Sequence, residues 1–287
     1  MMSVFIELMP TGLVQGLLLS FVAIGIMIPF KLVNFPDLTA EGSYPLGGAV
    51  CVALIALGLH PLIAVVVASM SAGFLGIGTA LIHLRFKLNT LLAGIILSTM
   101  VYSVNLRIMG KPSLSLFEYH HLFSSISESN LLKFIVLLVV NAIVLIPLFA
   151  FLLTEKGLCF RAVGLNPLFA ERQGIQLTTY TVLGLFLGNA LCGLSASLLV
   201  QVQGYVDIGM GVGIVIHALA ALMIGENLIG THTLARQLIA PLIGALIYQQ
   251  IQGLALSLGL APSDLKLLTG TIVLIVIAIR GRRRVAH

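Results

Sequence analysis

The sequence has no tryptophan and very little charge: Asp, Glu, Lys and Arg together make up only 9% of its 287 residues. A soluble domain carries about 25% charged residues. With 59% hydrophobic residues and a mean hydropathy of +1.13, this chain cannot cover a globular surface with charge. Soluble enzymes, nucleic-acid binders and disordered proteins are excluded together, which leaves an integral membrane protein. Cysteine is scarce too. Cys51, Cys159 and Cys192 stand in unrelated settings without metal-ligand spacing, so neither a disulfide framework nor a zinc site is indicated. They are expected to be small apolar fillers. No Lys or Arg precedes Lys31, so the positive region of a cleaved leader is missing and the first apolar stretch is expected to stay in the mature protein. A nucleotide-binding glycine loop is missing as well. The Gly110-Lys111 pair runs into Pro112 and has Asn105, not glycine, five residues before Gly110. Any ATP hydrolysis therefore has to come from another chain.

What the sequence does have is long apolar runs with 29 glycines and 10 prolines, residues better tolerated in membrane helices than in soluble ones. A helix needs about 20 apolar residues to cross the hydrocarbon core. Nine stretches are candidates: 9–30, 39–59, 61–83, 90–109, 131–153, 177–201, 210–229, 234–259 and 265–280. The expected fold is an all-α integral membrane protein with about nine transmembrane helices, some of them broken or re-entrant, forming a single transmembrane domain over 1–287. The net charge of +5 is concentrated at one end, with Arg280, Arg282, Arg283 and Arg284 among the last eight positions. Basic clusters past an apolar stretch mark a cytoplasmic edge and meet anionic lipid there. Nine spans with the N-terminus outside put eleven of the fifteen basic residues on the cytoplasmic side, leaving Arg107, Lys111, Lys133 and Lys266 outside. Dropping one of the last four spans would put the arginine tail and the 154–176 connection on opposite faces.

Two connections are long. The first, 110–130, is Ser-rich and holds His120 and His121, an adjacent pair poorly placed to share a metal; a solvated loop is expected there. The second, 154–176, carries helix punctuation: Asn166 as N-cap, Pro167 at the first helical position and Gly174 at the close. It predicts a short cytoplasmic helix of about two turns, either an amphipathic connector on the membrane surface or a docking element for a partner.

Ionisable groups near spans are candidates for function, because burying them in lipid is costly. Asp37 and Glu41 precede a helix expected from about Ser43. Pro36, Gly42 and Pro45 argue against an unbroken helix over 30–59. A broken helix points free N–H groups and a positive dipole end into the protein, which suits an anionic group. The other reading is that both carboxylates merely cap the helix in water at the cytoplasmic edge. Asp207 has a similar setting, between Gln201, Gln203 and Gly204 on one side and Gly209, Gly211 and Gly213 on the other. Two such breaks of opposite direction fit an inverted repeat. Gly12/Gly16, Gly184/Gly188 and Gly209/Gly213 have the spacing of close helix packing. His217 reads as a packed histidine. Gln249, Gln250 and Gln252 read as helix glue or as pathway lining.

Four stretches carry a resemblance to a known family. Gly164-x-Asn166-x-x-x-Ala170-x-x-x-Gly174-Ile175, preceded by Arg161-Ala162, resembles the coupling-helix motif of ATP-binding-cassette importer permeases of the branched-chain amino acid and ribose type. Asn34 to Gly47 resembles the family's first broken-helix segment. Asn89 to Ile95, followed by Tyr102 to Gly110, resembles the tryptophan/tyrosine-type uptake subgroup. Gly204 to Gly213, then Ala220 to Glu226, resembles the matching segment of the second half. The resemblance implies a permease subunit of an importer in a bacterial inner membrane, not itself an enzyme. It would bind no cofactor; ATP and Mg would be used by a separate ATPase docked on the coupling helix through Arg161, Gly164, Asn166, Ala170, Glu171, Gly174 and Ile175. Other implied partners are a second permease copy, as a homodimer, and an extracytoplasmic substrate-binding protein; the membrane lipid surrounds them. Asn34, Asp37, Glu41, Ser43, Asp207 and Glu226 become candidates for the substrate pathway, and an amino acid, with aromatic ones in view, or a similar small polar solute becomes the candidate solute. An ion-gradient-driven secondary transporter is the alternative, but it has no need of the Gly164/Asn166/Gly174 helix. A membrane enzyme would want a polar cluster at one depth, and the seven histidines are scattered. A scaffold subunit would leave the broken helices unexplained.

Overall fold

The computed structural model describes the backbone of residues 2–124, 129–261 and 264–285. The serine-rich part of the 110–130 connection, at 125–128, lies outside the described residues, as do the side chains of the four tail arginines. The helices in order are α1 (Met2–Met27), α2 (Ala40–Ala56), α3 (Pro61–Phe86), α4 (Thr90–Met109), α5 (Asn130–Leu153), α6 (Glu155–Leu165), α7 (Pro167–Arg172), α8 (Leu177–Gln203), α9 (Ile214–Ile229), α10 (Leu234–Ser257) and α11 (Leu265–Val285). Two short strands, β1 (Ser113–Ser115) and β2 (Tyr205–Asp207), pair antiparallel, with Leu114 opposite Val206. Among the described residues seven helices are long and apolar enough to cross a membrane, and two shorter apolar ones, Ala40–Ala56 and Leu265–Leu274, stand where two further spans are expected. The protein is an all-α membrane protein.

The chain folds as two compact units. One comprises 1–24, 128–149 and 215–287. In it α1 meets α10 at small residues: a side chain at Gly16 would come within 2.9 Å of the Leu246 backbone. The α9–α10 crossing is closer still, because Gly225 and Gly244 each lie against a carbonyl of the other helix, those of Ala240 and Ala221. Small residues let helix backbones approach, which replaces the hydrophobic drive that lipid removes. Amides supply the rest. Asn141 of α5 donates to the Leu17 carbonyl and accepts from the Ser20 hydroxyl at 2.8 Å. Gln250 donates to the Met9 carbonyl and Gln249 to the Gln15 side chain, so these two glutamines join α10 to α1. The half-buried His217 packs on Tyr248, ring centroids 6.0 Å apart.

The other unit comprises 25–127 and 150–214. Its centre is α2, α3 and α8, packed at Gly47 against Gly193 and at Gly76 against the Leu185 carbonyl. Buried Cys51 and Cys192 fill this core, and neither is in a disulfide. One device occurs twice here. Pro29 brings no N–H to the carbonyl of Gly25, the chain widens into a π-helical turn over Ile28–Leu32, and Gly188 of α8 closes on that carbonyl. Pro45 brings no N–H to the carbonyl of Glu41, and Gly211 closes on that one. A Cβ at either glycine would stand 2.5 Å or less from the oxygen. Of the three glycine pairs at packing spacing, Gly12/Gly16 and Gly184/Gly188 pack. Gly209/Gly213 does not: Gly213 has a φ of +81° with open space around it, so it serves a turn.

Candidate functional site

The connection between the π-helical turn and α2 is where the second unit concentrates its buried polarity. Asn34 takes a left-handed φ of 56°, a conformation Asn tolerates better than most residues, and turns the chain. Its side chain is exposed. Phe35 then folds inward, its N–H donating to the Pro29 carbonyl and its ring packing edge-on against His83. Asp37 is 7% exposed and holds the turn into α2. Its Oδ1 accepts from the Thr39 N–H at 2.8 Å and from the Thr39 hydroxyl, which in turn bonds the Thr79 hydroxyl of α3 at 2.6 Å. Its Oδ2 accepts from the Asn189 amide of α8 at 2.8 Å, and the Asn189 oxygen accepts from the Ser43 hydroxyl of α2. One carboxylate thus joins α2, α3 and α8, at the N-terminal end of α2 where the helix dipole favours an anion. Helix α2 begins at Ala40, three residues before the start expected from the prolines, because the Leu38 and Thr39 carbonyls accept from the N–H groups of Glu41, Gly42 and Ser43.

Glu41 faces elsewhere. Its Oε1 accepts from the Gly213 N–H at 3.2 Å, and the residue lines a cavity of about 300 Å³ with Gly42, Ser98, Tyr102, Asn105 and Val212. The structure therefore groups Asp37 with Ser43 and separates both from the cavity that Glu41 lines. Asp207 repeats the local geometry of Asp37: its Oδ1 accepts from the Gly209 N–H two residues on, again at 2.8 Å, and caps a 3₁₀ turn over Ile208–Gly211. Glu226 belongs to the other unit, on α9, and is 7% exposed.

The 154–176 connection holds two helices where one was expected. Helix α6 is capped by Thr154, whose hydroxyl accepts from the Gly157 N–H, and packs Phe160 between Phe151 and Tyr180. Gly164 lies against the Leu32 backbone; a Cβ there would meet the Leu32 carbonyl oxygen at 2.2 Å. Arg161 precedes it by one turn on the same helix. Asn166 ends α6 and caps α7, its side chain accepting from the Phe169 N–H at 3.1 Å, with Pro167 at the first position. Helix α7 is shorter than two full turns. It closes at Gly174, whose φ of +80° favours glycine, while the Ile175 N–H returns to the Ala170 carbonyl. Ala170 is fully buried, Glu171 is exposed and Ile175 half-buried. Leu165, Leu168 and Phe169 are 86%, 72% and 57% exposed, so a small capped helix presents an apolar face outward. A second cavity, of about 770 Å³, runs beside it between Phe35, His83, Glu171, Gly174 and Thr181.

Residues 8–278 match the family model described as branched-chain amino acid transport system, permease component. The chain belongs to that permease family. It is 35% identical over 264 residues to a tyrosine transport system permease protein of Clostridioides difficile, covering 92% of this chain and 88% of the relative. It is 32% identical over 270 residues to an uncharacterised protein of Rickettsia prowazekii, covering 92% and 95%. No solved structure matches it. The chain is thus a multi-pass transport permease, as the stretches at 34–47, 89–110, 161–175 and 204–226 imply. Thr79, Asn105 and Asn189 were not among the expected site residues. Their signal was an uncharged amide or hydroxyl inside an apolar run, which a search for ionisable groups passes over.

Proposed function

We propose that this permease is the membrane subunit of an ATP-driven amino acid importer, working as a homodimer in a bacterial inner membrane with its N-terminus outside and its C-terminus in the cytoplasm. The observation that carries the proposal is α7: a helix of fewer than two turns, capped at both ends, with Ala170 anchored and Leu168 and Phe169 outward. A surface connector that short gains little from covering lipid, whereas a docking element needs a rigid apolar knob on an anchored base. Arg161, Gly164, Asn166, Ala170, Glu171, Gly174 and Ile175 build and flank that element, and a separate ATPase, using ATP and Mg, would seat on it. A binding protein outside would deliver the solute. An aromatic amino acid as solute is supported by the likeness to the tyrosine transport system permease protein. The test is affinity purification of the tagged chain from its own cells in mild detergent, read by mass spectrometry. A P-loop ATPase and an exported binding protein should co-purify. A chain that comes down alone and stable would point instead to an ion-driven carrier.

A further inference from the structure

The cavity beside Glu41 holds a chemistry that the docking element does not explain. Its walls come from α2 (Glu41, Gly42, Pro45), from α4 (Ser98, Thr99, Tyr102, Asn105), and from Ile208 and Val212. Its walls are mostly apolar, and most of its few polar groups are hydrogen-bond acceptors. Glu41 supplies a carboxylate whose Oε1 takes one backbone N–H, that of Gly213. Ser98 and Thr99 spend their hydroxyl protons on the Ile95 and Ile96 carbonyls of their own helix, leaving oxygen lone pairs for other partners. Asn105 is fully buried. Its amide nitrogen is directed to the Gly42 carbonyl at 3.5 Å, and its Oδ1 has no partner in the protein. No Lys, Arg or His is among the lining residues. A buried amide oxygen without a donor is costly, and so is a carboxylate in a membrane protein without a facing cation. A ligand group with several N–H donors and a positive charge relieves both.

We infer that this cavity is a binding site for the primary ammonium group of the transported solute, with Glu41 supplying the charge, Asn105 Oδ1 and the Ser98 and Thr99 hydroxyls accepting N–H bonds, and Tyr102, Pro45 and Val212 flanking the solute's carbon skeleton. Its volume stands at the lower end of small-molecule pockets, about 300–1,000 Å³, which suits a single amino acid or amine. The proposal rests on the amino acid reading above for its solute, but the site can be tested without transport.

The experiment is ligand-dependent thermal stabilisation of the full-length chain in lipid nanodiscs. The probes are tyrosine, tyramine, 3-(4-hydroxyphenyl)propionate (tyrosine without its amine) and potassium chloride. Tyrosine and tyramine should stabilise, and the propionate and potassium should not. Glu41→Gln and Asn105→Leu should each weaken the amine response about tenfold, the worth of a hydrogen bond to a charged group. Asn105→Asp, which restores an acceptor, should retain it. Ser113→Ala, outside the cavity, serves as the folding and response control. Stabilisation by the propionate, or by potassium alone, would overturn the ammonium assignment. So would an unchanged response in Glu41→Gln, or none in the wild-type chain. If the ATPase and binding protein co-purify while amine binding fails, the site falls and the importer stands. If amine binding is found and the partners are absent, the site stands without the importer.

Discussion

At the scale of the residue, Asp37 ties three helices of its unit together. It is the common acceptor for Thr39 and Asn189, and through them it reaches Thr79 and Ser43. Removing one partner of a buried hydrogen bond leaves the other unsatisfied, at about 1–3 kcal/mol per group and more where a charge is involved. Asp37→Ala should therefore lower the thermal midpoint and the yield of folded protein markedly. Ser43→Ala, which removes only a donor to Asn189, should cost far less. A thermal unfolding series in detergent decides: if both variants unfold with the wild type, the network does not hold the fold. Sequence reasoning marked Asp37 and Glu41 as ionisable groups at a helix break, and Ser43 through the family resemblance. It could not divide them, because which acceptor meets which donor depends on α3 and α8, residues 40 to 150 positions away.

At the scale of the element, two substitutions near α7 that look alike in sequence separate in the structure. Asn166→Ala removes an N-cap, worth about 1 kcal/mol of local helix stability, from a helix with few other internal bonds. Insertion should be normal, while solute uptake per ATP hydrolysed falls in reconstituted vesicles, because a frayed knob transmits motion poorly. Gly164→Val differs in kind. The added Cβ meets the Leu32 carbonyl rather than anything on α7, so it should reduce folded protein in the membrane before coupling can be measured. A Gly164→Val protein with wild-type abundance would show that α6 can lift from the 28–33 turn. The proline–glycine contacts at Pro29/Gly188 and Pro45/Gly211 belong to this scale too. Each proline is legible as a helix breaker, but the glycine that fits over the bared carbonyl is 160 or so residues distant.

At the scale of the whole molecule, orientation is set by charge asymmetry, which depends on counting spans. Helix α3 is 26 residues long, about 39 Å at 1.5 Å per residue, enough to cross with its ends in the interfacial regions. It begins at exposed His60 and ends at exposed Lys87. With Cys51, Cys159 and Cys192 replaced by alanine, His60→Cys in intact cells should react with a membrane-impermeant maleimide. Lys87→Cys should react only after the cells are opened. The reverse pattern would invert the topology. The shorter helices α2 and Leu265–Leu274 are the ones on which the span count turns, and the same labelling at Asn34 and Leu57, one beyond each end of α2, would show whether α2 crosses.

Membrane insertion, the all-α architecture and the punctuation of α7 were readable in the sequence because each is local. Twenty apolar residues satisfy their own backbone bonds in lipid, and an Asn-Pro start and a Gly stop act within one or two turns. The family resemblance was local in the same sense, carried by short stretches in order. The grouping of polar side chains was not local. The additional helix α6, the β1–β2 pairing, the anchoring of Asp37 and the acceptor-rich cavity at Glu41 and Asn105 all depend on which helix faces lie together. Lipid gives no hydrophobic preference among apolar faces, so small residues and a few buried amides decide that, and only the tertiary structure shows where they meet.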